Sequence, residues 1–290
     1  MINMIRQLLL IITSIFPIFA FAQTYVTSIS QKFQIMPAPL PKFEVIDTTI
    51  MEVLYRFTYP CDDFKGNYTI LDDIIALQIA NSQSKTFSHN LHIMDCNLSC
   101  KKKIPVKFRL DYNDFEVFNN ITDGIIRVQR RIPYSRILQA SLQVVEYSYK
   151  PKNINWEFKE NNAQIAGYEC LYASTEVAGR KWNVWFTLEI PVSANLWQFY
   201  GLPGLILKAE SDDGLFCFEC TEIKNVKSPI YYYNWNAIKM KRSKWLKTEK
   251  HMYEYPSDFF SKNGEISILD INTRKPIENE WRVKYYPLEK

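Results

Sequence analysis

The chain has 290 residues, of which 47% are hydrophobic and 23% charged, with a formal net charge of +4. That much apolar surface can bury a core, which excludes a disordered chain. The mild basic excess excludes a general polyanion binder, so nucleic acid is not an expected partner.

Met1 to Gln7 carry one basic side chain, Arg6, ahead of the apolar run Leu8 to Phe19. Ala20-Phe21-Ala22 follows as a small-x-small cleavage signal, so residues 1–22 read as a signal peptide. The run is shorter than the roughly 20 apolar residues of a spanning helix. An exported protein is expected, in the periplasm or at the cell surface rather than in the cytoplasm. Residues 23–49 read as an extended lead-in, because the prolines of Met36-Pro37-Ala38-Pro39-Leu40-Pro41 remove donors and restrict their predecessors.

From Ile50 the texture alternates. Met51 to Tyr59 predicts a strand with Val53, Tyr55 and Phe57 on one face. Pro60 to Asn67 reads as a turn-rich break, and Ile74 to Ala80 as the next strand. Residues 88–103 are polar and read as a solvated loop. His89 and His92 there have the spacing of a metal pair, but no third ligand can be placed, so no metal site is assigned. Further strands are expected in 106–117, 125–132 and 142–149. From Ala163 to Ile223 the pattern is a β-meander: Ile165 to Ser174, Lys181 to Thr187, Leu205 to Ser211 and Leu215 to Ile223. Gly179 is expected in one turn, and Asp212-Asp213-Gly214 in a hairpin turn where glycine supplies the positive φ. After Ser228-Pro229 the chain becomes lysine-rich, and Ser243 is the candidate N-cap of a short helix. Ile266 to Ile271 and Trp281 to Tyr286 read as late strands.

The expected fold is mainly β with some α: a single curved antiparallel sheet with short C-terminal helices. The expected divisions are 50–228 as a β-rich domain and 229–290 as an extension packed on it. Six cysteines remain, Cys61, Cys96, Cys100, Cys170, Cys217 and Cys220. Cys96 and Cys100 are the candidate pair for a local loop disulfide. Cys217 and Cys220 lie three apart in a strand pattern, so they face opposite ways and cannot share a metal or a bond.

One segment is sharper than the rest: Gly201-Leu202-Pro203-Gly204-Leu205-Ile206. It reads as a type II turn feeding a buried strand, with Pro203 and Gly204 at the corner and Gly201 allowing a close backbone approach. Upstream stand Gly167-Tyr168-Glu169-Cys170, Gly179-Arg180 and Trp185-Phe186-Thr187-Leu188-Glu189-Ile190-Pro191, and earlier Ser84-Lys85-Thr86-Phe87. In these residues and their order the chain resembles the GLPGLI family of exported Bacteroidota proteins, over roughly Ile50 to Ile223. It departs in having Ala194-Asn195-Leu196-Trp197 where members often carry Gly-Pro. The order of elements is also similar to LolA-type carriers, which implies a half-barrel-like sheet holding a hydrophobic ligand.

Three function classes follow. The first is a non-catalytic carrier of a lipid, acyl chain or peptide, lined by Trp182, Val184, Phe186, Leu205, Leu207, Phe216 and Phe218, side chains that equally suit a filled core. The second binds a glycan or an envelope partner through an aromatic platform of Tyr231, Tyr232, Tyr233 and Trp235. The third is a hydrolase, for which the sequence offers no catalytic residue: no Gly-x-Ser-x-Gly elbow, phosphate loop or His-Glu-x-x-His helix occurs. No cofactor is expected. Lys239, Lys241, Arg242, Lys244, Lys247 and Lys250 are the candidate contact with an anionic membrane surface.

Overall fold

The computed structural model describes residues 35–62, 68–102, 113–132, 143–192, 196–255, 259 and 286–289. The expected signal peptide and the expected strand at 266–271 lie outside them, and so does all but Tyr286 of the one at 281–286. In chain order the strands are β1 (Phe43–Asp62), β2 (Tyr68–Ile79), β3 (Gln83–Ser88), β4 (Phe115–Asn120), β5 (Ile125–Arg131), β6 (Val144–Tyr149), β7 (Glu157–Ile165), β8 (Tyr168–Val177), β9 (Arg180–Thr187), β10 (Leu205–Ser211), β11 (Cys217–Tyr233) and β12 (Ile238–Lys239). Two helices stand among the described residues, α1 (His89–Ser99) and α2 (Arg242–Glu254).

All twelve strands form one sheet, in the order β12-β6-β5-β4-β3-β2-β1-β11-β10-β9-β8-β7. Every pairing is antiparallel except the short β12–β6 contact. The expected curved antiparallel sheet is therefore what the chain forms. Its bend has a local cause. The two longest strands, β1 and β11, slip register between Val45 and Asp47, Thr49 and Met51, and Leu54 and Tyr55. Each slip inserts an irregularity that bends a strand and increases its twist.

The core face is set by strict alternation. Val53, Tyr55 and Phe57 of β1 are buried, as their spacing predicts, and they lie opposite Leu77, Ile75 and Asp73 of β2. The same face continues through Val117 and Val128 to Tyr147 on one side, and through Phe218 and Ala209 to Val184 on the other. Helix α2 packs here: Trp245 is buried, Arg130 stacks over its ring at 5.7 Å, and Arg130 Nη2 meets Glu249 Oε1 at 2.7 Å.

Several boundaries differ from expectation. Strand β1 starts at Phe43, inside the expected lead-in, because Phe43 and Val45 find partners in Tyr233 and Tyr231. Pro60 is in β1 rather than in a break. At Pro60 the strand has lost β11 and keeps only β2, so its missing N–H falls at a locally one-sided strand. Ile165 to Ser174 is not one strand. Ala166 (φ 53°) and Gly167 (φ 87°) both take positive φ and close a two-residue hairpin between β7 and β8. Ser228-Pro229 marks no boundary, since β11 runs through it. The stretch read as a loop is α1, whose N-terminus Ser88 caps by accepting from Leu91 N at 3.1 Å. Helix α2 begins after Lys241 with no side-chain cap, so Ser243 lies within the helix rather than at its start.

Opposite the core, the β3–β6 half carries a second buried layer built from charge. Lys85 Nζ meets Glu116 Oε2 at 2.8 Å, donates to Tyr231 O at 2.9 Å, and lies within 5.0 Å of the Phe87, Phe118 and Tyr233 ring centroids. Arg131 pairs with Asp95 of α1 and stacks over Trp235 at 4.5 Å. Burial alone would raise the Glu116 carboxyl, but Lys85 and Arg131 outweigh it and hold it below the usual range. Lys85→Met is expected to cost about 3–5 kcal/mol in denaturant unfolding, because it strands Glu116 in a buried site. Adding Glu116→Gln to that variant should recover a large part of the loss.

Candidate functional site

The Gly201–Ile206 corner joins the loop after β9 to β10, and its two glycines do different work from that expected. Gly201, not Gly204, takes the positive φ, at 87°. Gly204 is the close approach: a Cβ placed there would lie 2.0 Å from Thr187 O. Leu205 N donates to Ile190 O at 3.0 Å just beyond it. The corner thus presses the backbone of β10's entry directly onto the end of β9. Leu202, Leu205 and Ile206 are buried, while Pro203 is exposed. Upstream, buried Arg180 opens β9, pairs with Asp213 in the β10–β11 hairpin turn and stacks over Phe216 at 4.7 Å. Gly214 of that hairpin has φ 67°, as its turn chemistry requires.

Trp182, Val184, Phe186, Leu205, Leu207, Phe216 and Phe218 are all brought together, in one contiguous buried cluster. They are covered by the chain itself. Leu196, Trp197, Phe199 and Leu202 are buried against them, and the Trp182 ring lies 5.7 Å from Trp197 and 5.0 Å from Phe199. Trp197 holds a left-handed φ of 51°. Two hydrogen bonds pin it there: Trp197 N donates to Thr86 Oγ1 at 3.0 Å, and Asn119 Nδ2 donates to Trp197 O at 3.3 Å. The seven residues are therefore core, and the segment 196–202 plugs the face.

The plug was not legible as such. Only Leu196, Trp197 and Phe199 between two turns signalled it, and nothing local says which face they cover. Open apolar side chains occur on the central strands, at Phe43 and Val45 of β1 and Ile70 of β2, and also at the β7 edge of the sheet. Phe158 of edge strand β7 is 62% exposed, Leu171 of β8 37%, and Leu188 just beyond β9 53%. Pairing places Phe158 opposite Ala173 and Leu171 opposite Phe186, both on the core face. The Phe158 ring lies 6.2 Å from that of buried Phe186.

Of the aromatic platform, the rings of Tyr231, Tyr233 and Trp235 lie in series at 5.9 and 6.1 Å, with Tyr231 and Trp235 half-buried. Tyr233 is buried, and alternation turns Tyr232 away from Tyr231 and Tyr233. Tyr232 OH donates to Glu146 Oε2 at 2.6 Å, its ring lies under Arg127, and Trp235 lies under Arg131. These rings serve the buried charged layer. Cys96 and Cys100 are free thiols. The loop assumed for their pairing is a helix, in which Cys96 Sγ turns to His92 Nε2 at 3.5 Å and Cys100 is exposed at the C-cap. Cys217 and Cys220 are also free, and burial pushes both thiols up to about 11. Among the described residues no three His, Cys, Asp or Glu side chains gather as metal ligands. Lys239, Lys241, Lys244, Lys247 and Lys250 are exposed on β12 and α2. Arg242 is not part of that basic face, since it turns inward to Glu289. No helix among the described residues is long and apolar enough to cross a membrane.

No family model matches the chain, and no curated protein matches it. A solved structure of PNGF-II in space group P21 aligns with 69% of this chain and 32% of its own, at 15% identity and a TM-score of 0.44. A second PNGF-II structure, in space group C2, aligns over the same shares at 17% identity and a TM-score of 0.42. The match thus spans about a third of the PNGF-II chain.

Gly204→Ala is expected to lower stability by about 3 kcal/mol, since the added carbon meets fixed backbone rather than a movable side chain. The midpoint of urea unfolding measures it. Burial, reinforced by the Lys85 cation, pushes His92 down to about 4 from an ordinary 6.5. Between those values the unfolded chain binds the proton and the folded chain does not. His92 therefore has its full stability contribution above pH 6.5 and loses about 1.4 kcal/mol per pH unit as pH falls toward 4. The difference in stability between the wild type and His92→Gln should show this slope in that window and be flat above it.

Proposed function

We propose that this is an exported, non-catalytic binding protein that takes up a hydrophobic partner, an acyl chain or an apolar peptide, at the open edge of its core face. The observation that carries the reading is Phe158. A large apolar ring stands mostly in solvent on an edge strand, beside partly exposed Leu171, and leads directly to buried Phe186. Exposed apolar patches on a folded chain mark contact sites more often than isolated exposed residues do. Among the described residues one side of β7 also has no strand neighbour, which suits an extended peptide added as a further strand. Export is supported by the apolar run Leu8 to Phe19 and the small residues after it. The exposed lysines of β12 and α2 would favour contact with an anionic membrane surface, from which such a ligand could be drawn.

On this reading the binding surface is the rim of the core set rather than its interior. A fluorescent long-chain acyl probe should bind the mature protein saturably. Phe158→Glu and Leu188→Glu should each weaken it about tenfold or more with little change in melting temperature, since both side chains are largely exposed. Absence of saturable binding of acyl probes and of apolar peptides by the wild type would sink the proposal.

A further inference from the structure

A carboxylate is caged at another point of the core face. Glu289 is only 3% exposed. Its Oε2 accepts from Arg242 Nε at 3.0 Å and lies 2.9 Å from Arg242 Nη2. Its Oε1 accepts from Tyr147 OH at 3.0 Å and from Gln198 Nε2. The three donors come from the first turn of α2, from β6 and from the plug segment. Each is distant in sequence from Glu289, so the fold assembles the cage and local chain geometry does not. Leu288 packs on the main core beside it, and Pro287 O accepts from Arg180 Nη2 at 2.7 Å. The cage also holds a donor that Glu289 does not use. The Tyr149 hydroxyl is buried with no hydrogen-bond partner among the described residues, and Arg242 stacks over its ring at 4.9 Å.

We infer that this cage is a carboxylate-binding site kept filled by Glu289, and that the hydrophobic ligand is a long-chain carboxylic acid whose head group displaces Glu289. Leu288 and Glu289 together present what such an acid presents: an apolar stem ending in an anion. A neutral head group could not replace Glu289, because Arg242 would be left partly buried without an anion. A free acid, less constrained than a side chain, can also accept from Tyr149. The choice of a hydrophobic acid rests on the binding reading given above, whereas the anion preference of the cage does not.

The test is a titration of the full-length mature protein with cis-parinaric acid and with its methyl ester. Glu289→Gln keeps the shape of the side chain and removes its charge, so it should bind the acid about tenfold or more tightly than the wild type, with the ester unchanged. Arg242→Gln should lose the preference for acid over ester. A second reading is thermal: Glu289→Gly should be stabilised by added acetate relative to chloride at equal ionic strength, and the wild type should not. If Glu289→Gln binds the acid no more tightly than the wild type, or acetate fails to rescue Glu289→Gly, the cage is only a structural ion pair. Equal binding of acid and ester by every variant would overturn the cage while leaving hydrophobic binding intact. No binding of either by any variant would overturn both.

Discussion

The pairing of β1 with β11 is the constraint on which everything else hangs. It is the only seam between β2–β6 on one side and β7–β10 on the other among the described strands. The seam joins distant chain: Val53 lies opposite Ile223. Neither half-sheet can close its core face alone, because the apolar sides of both are continuous through Phe57 and Phe218, whose rings stack at 4.1 Å. Contacts of this span must close a long loop before they return any stability, so slow folding limited by this seam is the expected behaviour.

Much of the sheet was readable from alternation. Val53, Tyr55 and Phe57, then Ile75, Leu77 and Ile79, then Trp182, Val184 and Phe186 each announce one buried face, and each is buried. Turn chemistry announced Gly179 and Gly214, both at positive φ. What failed had physical reasons. Helix α1 is hidden because its apolar stripe is short and interrupted: Leu91 and Met94 are buried with Ile35, but Asp95 and His92 beside them meet Arg131 and the Phe87 ring. The roles of Gly201 and Gly204 were exchanged because the need for a missing Cβ at Gly204 comes from Thr187, on a neighbouring strand. The cage around Glu289 had no local sign at all, since its donors are scattered along the chain.

The two faces of the sheet solve burial differently. The core face is mainly apolar, with its ion pairs gathered under α2, and is sealed by the plug. The other face of the β3–β6 half buries ammonium, guanidinium and carboxylate groups together under α1. Such a layer adds little net stability over an apolar one, but an incomplete version of it is costly. It therefore acts against wrong registers: a one-residue slip of β3 would turn Lys85 into the apolar side and Thr86 away from Trp197. The same short strand thus fixes both the charged layer and the seat of the plug.

That seat has an optical consequence. Trp182 and Trp197 stand 5.7 Å apart with ring planes at 54°, and Phe218 lies within 6.4 Å of both. Indoles held this close in a fixed chiral arrangement couple their ultraviolet transitions, and only rigid packing preserves such a signal. Near-ultraviolet circular dichroism of this protein should consequently be dominated by one tryptophan pair, and it would report directly whether the strained Trp197 turn is home or has swung away.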